Sequence, residues 1–296
     1  AYDTLGNVTS QTIARYDQSD KVIDYKEIAN TYDSVVAAKR GNATHTTITR
    51  YTDDTKATLI ERQEIDNKSF DSIGNVIDQE ISLYVDNKLS RKTVIHNSNI
   101  SNRGDAANQE ITTYSTDATG TLLTSEVSFQ EILNRKFDSS HNVLNQKIIT
   151  YLDSTKATIL DVQEVRNLSF DSRGNVLEER IATFSDIAET ELLDIKVIKN
   201  ESLDAQGNAG KVTILKYRSG SVNGDVINYS DFIDASIITT SSFDARGNAL
   251  IQIVKKYSDE ALATLVETQD ITNSGYDFHD RLSHSTVVTH DSQGSF

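Results

Sequence analysis

Histidine and aspartate are the residues of this 296-residue chain best suited to chemistry, and their spacing suggests metal binding first. His279, His284 and His290 lie close together in the sequence, next to Asp291. Imidazole nitrogens and a carboxylate are typical zinc ligands when they converge on one point. The competing interpretation is a set of surface histidines in an irregular terminal repeat. We favour that interpretation and assign no metal ligand.

Aspartates followed closely by asparagine recur along the chain and suggest calcium as a second ion. The four clearest cases are Asp71, Asp171, Asp204 and Asp244. Calcium takes about six to eight oxygen ligands, and one aspartate with a backbone carbonyl falls short of that number. A turn in which the aspartate bonds its own backbone explains the residue without an ion. The prediction is therefore no cofactor, with calcium at the turn aspartates as the alternative.

The sequence has no motif of a known catalytic centre. Cysteine is absent, so a thiolate nucleophile and a disulfide framework are excluded. The chain has no Gly-x-Ser-x-Gly elbow, phosphate loop or His-Glu-x-x-His. The neighbouring carboxylates of Glu178 and Glu179 are more typical of a solvated face than of an acid and base pair. We predict that the protein is not an enzyme, with no catalytic and no cofactor-binding residues.

Charge and composition narrow the choice of partners. The net charge is -15 and the isoelectric point is near 4.8, which argues against nucleic acid because phosphate binding needs a basic stripe. No apolar run reaches the roughly 20 residues of a membrane span, so no membrane insertion is predicted. Proline, methionine and tryptophan are absent along with cysteine. A chain without an initiator methionine is expected to be a processed chain or a piece of a longer one.

One short motif recurs along the whole chain, and it contains the aspartates considered above. It reads aromatic, Asp, two variable residues, Gly, Asn and a small apolar residue, as in Tyr2 to Val8. We call its first residue the anchor. The mean spacing between anchors is about 34 residues. The nine anchors are Tyr2, Tyr32, Phe70, Ile100, Phe137, Phe170, Leu203, Phe243 and Tyr276. We therefore predict a single repeat array over residues 1–296, with units beginning near these positions.

Further positions recur relative to the anchor. An aliphatic residue lies eleven positions after most anchors, as Ile181 does after Phe170. An aromatic residue lies fourteen positions after it, as Phe184 does, and is expected in the core. The pattern aliphatic-x-Asn-x-x-aromatic leads into most anchors, as at Val165 and Asn167.

These patterns predict an all-β fold of tandem β-hairpins. Asp opens a turn and Gly supplies a positive φ, so the motif reverses the chain between two arms. A helix was the alternative for the second arm, but its β-branched residues favour a strand. Nine units give about 18 strands in a continuous antiparallel sheet that curls into a spiral, tube or solenoid-like array. Two irregular stretches are expected to be long loops: the insertion after Tyr32, and the unit that holds Gly220, Gly224 and Tyr229.

The motif resembles the core of the YD-repeat, or Rhs-type, family. The stretch from Tyr2 to Val8 is similar to the Tyr-Asp-x-x-Gly-Asn-Val form, and Tyr276-Asp277 with Arg281-Leu282 is similar to the arginine form. The unit here is longer than the family's usual one, and the anchor is often Phe. The resemblance implies a secreted or surface β-repeat protein, built as a shell or a long wall.

The repeat array favours a structural function. We predict an extracellular or cell-surface protein, a subunit or segment of a fibre, filament or giant surface protein, which self-associates through repeat and edge-strand contacts. One alternative is a surface adhesin or glycan-binding stalk that contacts a glycan or host surface. The other is a fragment of a YD-repeat shell that encloses a toxin, which rests on the resemblance alone.

Overall fold

The chain folds as a succession of β-strands, which confirms the predicted all-β class. The computed structural model describes residues 1–16 and 19–292. Those residues form seventeen strands and one short helix, α1, at Val35–Arg40. The strands are β1 Ser10–Tyr16, β2 Val22–Thr31, β3 His45–Tyr51, β4 Leu59–Phe70, β5 Val76–Val85, β6 Lys88–Ile100, β7 Ala106–Thr116, β8 Leu122–Phe137, β9 Val143–Tyr151, β10 Ile159–Phe170, β11 Val176–Phe184, β12 Leu192–Leu203, β13 Ala209–Asn223, β14 Val226–Phe243, β15 Ala249–Tyr257, β16 Leu265–Tyr276 and β17 Leu282–Asp291.

The chain divides into two compact units. The first holds residues 1–131 and 152–156, and within it β1 to β7 pair antiparallel in chain order. The second holds residues 132–151 and the chain from Ala157 onward, and within it β9 to β17 pair antiparallel in chain order. The single array over residues 1–296 and the curling of its sheet stay predictions.

The predicted Asp-x-x-Gly-Asn segment is the turn of each hairpin. We call the strand that ends at an anchor the pre-anchor strand, and the strand that begins six residues later the post-anchor strand. Pre-anchor β10 ends at Phe170 and post-anchor β11 begins at Val176, and the two pair antiparallel. The same boundaries hold at seven anchors: Phe70, Ile100, Phe137, Phe170, Leu203, Phe243 and Tyr276.

Each regular hairpin is closed by a pair of aliphatic side chains. In β10 and β11, Val165 lies opposite Ile181, the aliphatic residue eleven positions after the anchor. Directly opposite side chains are about 5 Å apart and stabilise the pair by packing. The equivalent pairs are Ile65 with Ile81, Ile95 with Ile111, Ile198 with Ile214, Ile238 with Val254 and Ile271 with Val287. This pairing explains two of the recurring sequence positions at once.

The arms after the anchors are strands, not helices, as predicted. Seventeen strands rather than eighteen lie in the described residues, because only an isolated bridge between Tyr2 and Val8 flanks the first turn. No helix in the described part of the chain is long and apolar enough to cross a membrane.

The prediction of long loops at the two irregular stretches is wrong. The insertion after Tyr32 forms α1, whose Ser34 hydroxyl oxygen accepts the N–H of Ala37 and whose C-terminal Gly41 has φ 72°. Both ends are therefore capped, which makes a helix of six residues viable. The second stretch extends β13 and β14 into a long hairpin arm, with Asn223 opposite Val226 across the two-residue turn Gly224-Asp225.

The main buried cluster of the second compact unit lies under this long arm. Val162, Ala182, Phe184, Ile195, Tyr217 and Ile227 are its fully buried members. Ile227 and Tyr229 belong to the arm, and Tyr229 packs on Tyr217 with 4.4 Å between ring centroids. The arm thus covers one face of the neighbouring strands β10 to β13.

The aromatic residues fourteen positions after the anchors confirm the core prediction only in part. Tyr151, Phe184 and Tyr217 are buried, all in the second compact unit. Tyr16 is 57% exposed, so the prediction is wrong there. The remaining members of the series are half-buried.

Candidate functional site

The turn at Asp171 shows how each repeat uses its carboxylate. Oδ1 accepts the backbone N–H groups of Arg173 at 2.8 Å and Asn175 at 2.9 Å, and Oδ2 accepts Nδ2 of Asn175 at 2.8 Å. The hydrogen bond from the Asn175 side chain is the largest cause that lowers the pKa of Asp171 to about 2. The same three bonds recur at Asp3, Asp71, Asp138, Asp204 and Asp244.

These turns fit a structural role better than an ion site. Both carboxylate oxygens of Asp71, Asp171, Asp204 and Asp244 already accept hydrogen bonds within their own turn. An ion at such a turn would have to displace these bonds to gain its ligands. No group of three or more metal-ligating side chains is gathered in the part of the chain that the structure describes. Calcium at the turn aspartates stays an untested alternative.

The three clustered histidines do not converge. His279 lies in the last turn and packs on the ring of Phe278 at 3.9 Å between centroids. His284 and His290 lie six residues apart on β17, which separates their α-carbons by about 20 Å. His290 Nε2 lies 3.1 Å from Oδ2 of Asp270 on the neighbouring strand. The predicted surface position holds for His284, whereas His290 is half-buried on β17 and the side chain of His279 is 7% exposed.

Successive turns touch one another through glycine and asparagine. A Cβ atom on Gly207 would lie 2.9 Å from Oδ1 of Asn175 in the preceding turn, and Gly207 has φ 94°. Only glycine meets both conditions without strain. Arg173 adds a bond from Nη1 to the carbonyl oxygen of Asp204 at 2.7 Å. Similar approaches of 2.7–3.3 Å occur at Gly74, Gly104, Gly174 and Gly247. We call this series the turn ladder.

The asparagine three residues before most anchors ties its repeat to the preceding one. Nδ2 of Asn167 donates to the carbonyl oxygen of Val143 at 2.8 Å. Val143 is the first residue of the preceding post-anchor strand. The equivalent bonds join Asn67 to Ala43, Asn97 to Val76, Asn200 to Val176 and Asn273 to Ala249. The recurring asparagine is therefore a contact between repeats.

In some repeats the side chain of the ninth residue after the anchor donates a hydrogen bond to the side-chain oxygen of this asparagine. Gln79 donates from Nε2 to Oδ1 of Asn67 at 2.7 Å, and Gln109 does the same to Asn97 at 2.9 Å. Glu179 takes this position opposite Asn167. An ionised carboxylate has no proton to donate, and Oδ1 of Asn167 is buried without a hydrogen-bond partner in the described structure. Burial raises the pKa of Glu179.

A buried ion cluster lies beside the core of the second compact unit. Arg135 donates two hydrogen bonds to Glu164, from Nη1 to Oε2 at 2.6 Å and from Nη2 to Oε1 at 2.7 Å. Nη2 of Arg166 donates to Oε2 of Glu164 at 2.8 Å. Glu164 and Arg166 are each 1% exposed. Burial raises the pKa of Glu164, but the bonds from Arg135 and Arg166 outweigh it and lower the pKa overall.

The tip of the long hairpin arm docks on this cluster. The carbonyl oxygen of Gly224 accepts from Nε and Nη2 of Arg166 at 3.1 and 2.8 Å. The carboxylate of Asp225 pairs with Nζ of Lys136 at 2.5 Å and accepts Nδ2 of Asn145 at 2.8 Å. The charges of Glu164 and Arg166 are thus satisfied by each other, by Arg135 and by the tip. The cluster acts as a clamp for the arm.

Sequence reasoning missed the clamp and the ninth-position donors. Glu164 occupies the same place in its repeat as Glu64, which lies 28% exposed beside Arg62 in the first compact unit. The residue type therefore carries no signal of burial. The one available signal was the length of the unit after Leu203, which supplies the covering arm.

No protein-family model matches the chain, and no curated protein matches it. Two solved structures show a loose likeness. One is TcdB2-TccC3 without its hypervariable C-terminal region, with 13% identity over 92% of this chain and 16% of that chain, at a TM-score of 0.18. The other is TcdB2-TccC3, with 9% identity over 96% of this chain and 18% of that chain, at a TM-score of 0.17. The chain spans less than a fifth of the length of these structures.

Proposed function

We propose that this chain is a structural β-repeat segment of an extracellular or cell-surface fibre or giant surface protein. The use of the recurring residues supports this proposal. Asn175 and Gly207 join two successive turns, and Asn167 bonds the carbonyl of the preceding repeat. The motif is thus used for contacts between repeats. Stability built from such nearest-neighbour contacts allows an array to be extended.

Self-association is part of this proposal. In the residue pairings of the described strands, β1 pairs with β2 and β17 pairs with β16. Each of these two strands is thus paired along one of its edges. A strand edge presents unpaired N–H and C=O groups that can pair with a further strand. The aromatic residues fourteen positions after the anchors, which a glycan-binding stalk would use, are buried at Tyr151, Phe184 and Tyr217. We therefore propose the scaffold in preference to the stalk.

Immunogold electron microscopy tests the proposed function. Antibodies raised against the purified chain are applied to intact and to sectioned cells that make the protein. We expect gold particles on extended structures outside the cell or on its surface, with none after the antibody is absorbed with the purified chain. Labelling confined to the cell interior would overturn the proposal.

A further inference from the structure

The two outermost described strands are of the same kind. Both β1 and β17 are post-anchor strands, because each follows an Asp-x-x-Gly-Asn or related turn. Wherever successive hairpins pair, a post-anchor strand meets the pre-anchor strand of the next repeat, as β9 meets β10. By the same pattern, the strand that would pair with the open edge of β17 is a pre-anchor strand. The β1 strand of a second copy does not continue the pattern. If it paired antiparallel with β17, the turn before β1 would lie at the opposite end of the sheet from the turn before β17.

The register of this contact is the same wherever it is described from β3 to β16. The aliphatic residue eleven positions after one anchor, or Ile48 in the unit that carries the insertion, lies opposite the seventh residue before the next anchor. The pairs are Ile48 with Gln63, Ile81 with Thr93, Ile148 with Gln163, Ile181 with Lys196, Ile214 with Ser236 and Val254 with Gln269. In the last repeat the aliphatic residue is Val287, which is 52% exposed. Continuity with six existing contacts thus specifies which residue a new strand would place opposite Val287.

Backbone groups of β17 complete the site. The bond from the N–H of Asp277 to the carbonyl of Arg281 sets the phase of the hairpin ladder. Because bonded and non-bonded pairs alternate in an antiparallel ladder, Leu282, Thr286 and Val288 direct their N–H and C=O groups to the open edge. The Leu282 carbonyl is the equivalent of the Val143 carbonyl that accepts Asn167. From Leu282 to Asp291 the strand has no Lys, Arg or Pro to discourage pairing.

We propose that, in the 296-residue chain, the edge of β17 that faces away from β16 binds one extended segment of a second molecule that carries the pattern aliphatic-x-Asn-x-x-aromatic. The segment pairs antiparallel, its asparagine donates to the Leu282 carbonyl, and the seventh residue before its aromatic lies opposite Val287. This is recognition by strand addition, in which backbone bonds give affinity and side chains give register. It rests on the proposed assembly of repeats and names the segment that assembly would use.

A peptide with the sequence of residues 159–170 is the probe, because it contains Val165, Asn167 and Phe170. A fluorescein-labelled copy is titrated with the purified 296-residue chain, and its anisotropy is measured. We expect saturable binding that weakens about fivefold with the Asn167→Ala peptide, as for the loss of one hydrogen bond. In the protein, Thr286→Pro removes an N–H from the open edge and is expected to abolish binding, whereas Thr286→Ala retains it. Circular dichroism confirms that both variants fold.

Disulfide trapping tests the register directly, since the chain has no cysteine of its own. Val287→Cys in the protein and Gln163→Cys in the peptide are expected to cross-link. A peptide with Glu164→Cys points its thiol to the opposite face and is the control, expected not to react. Absence of saturable binding, equal binding to the Thr286→Pro variant, or protein dimers through Val287→Cys that exclude the peptide would each overturn the proposal. Cell-surface labelling is independent of these outcomes, so a failure here leaves the proposed function standing.

Discussion

The carbonyl oxygen of Gly224 accepts a 2.8 Å hydrogen bond from Nη2 of Arg166, across 58 residues of sequence. Arg166 is 1% exposed, so the tip of the long arm is tied to a guanidinium that the arm itself helps to bury. The same guanidinium bonds Glu164, which is equally buried. Docking of the arm and neutralisation of the cluster therefore depend on each other.

Removing the Arg166 guanidinium is expected to destabilise the second compact unit. Arg166→Met leaves Glu164 buried with Arg135 alone and removes both hydrogen bonds from Arg166 to the Gly224 carbonyl. Loss of one partner from a buried ion pair costs about 3–5 kcal/mol, and the remaining bond from Arg135 places the expected loss near 3 kcal/mol. Urea denaturation followed by circular dichroism measures it. Arg218→Ala, at an exposed position on β13, is the control and should change the free energy of unfolding by less than about 0.5 kcal/mol. Equal effects of the two variants would contradict the clamp.

A methyl group at position 220 is expected to push the arm away from the sheet. A Cβ atom on Gly220 would lie 2.1 Å from the carbonyl oxygen of Asn228 and 2.3 Å from Cδ1 of Ile195. Overpacking of this kind costs about 1–3 kcal/mol, and backbone on one side limits relief. We expect Gly220→Ala to lower the melting temperature and to expose the arm to protease. Ser221→Ala, at the exposed neighbouring position, should leave both measurements at the wild-type values.

Replacing one carboxylate with an amide is expected to stabilise the protein. Glu179→Gln can donate to the unpaired Oδ1 of Asn167, as Gln79 does to Asn67. The gain in the free energy of unfolding at pH 7 is expected to be about 1 kcal/mol. Burial raises the folded-state pKa of Glu179 above its ordinary value of 4.5. The ionised carboxylate therefore lowers the free energy of unfolding of the wild-type protein at neutral pH, and this loss disappears as the pH falls toward 4.5.

Chemical denaturation of the wild-type and Glu179→Gln proteins at pH 7 and near pH 4 measures this difference. Glu178→Gln, at the adjacent residue whose side chain points to the other face of β11, is the matched control. A gain that is the same at both pH values, or that the control reproduces, would show that Asn167 is not the acceptor.

The turn aspartates are expected to make the protein sensitive to acid. The pKa of Asp171 is lowered to about 2, from an ordinary value of 3.8, so the folded state favours the ionised carboxylate. Its contribution to stability is therefore complete above about pH 4 and is lost as the pH falls toward 2. We expect Asp171→Asn to be less stable than the wild-type protein at pH 7 and to lose less stability between pH 4 and 2.

Acid titrations followed by circular dichroism measure this response. Asp54→Asn removes an exposed carboxylate from a different turn and controls for the change in net charge. We expect the acid response of Asp54→Asn to match that of the wild-type protein. A parallel acid response of Asp171→Asn and the wild-type protein would assign no role to that carboxylate.

The hairpins and the positions of their turns follow from the amino-acid sequence. Asp171, Gly174 and Asn175 specify their turn through bonds that span no more than four residues, so their spacing alone predicts the reversal. The aliphatic residues at Val165 and Ile181 were visible as recurring positions, and pairing across the turn follows once the turn is fixed. Local chemistry repeated along the chain is readable without a structure.

Which faces of the strands are covered depends on tertiary contacts that the repeat pattern does not contain. The stretch around Gly220 and Gly224 reads as a loop, yet it becomes a strand pair that packs on Ile195 and Tyr217. Glu164 and Glu64 hold the same place in their repeats, yet Glu164 is 1% exposed beside the docked arm and the side chain of Glu64 is 28% exposed. Covering depends on contacts between residues far apart in the chain. A motif fixes the turn between two strands, but it does not say what will lie above them.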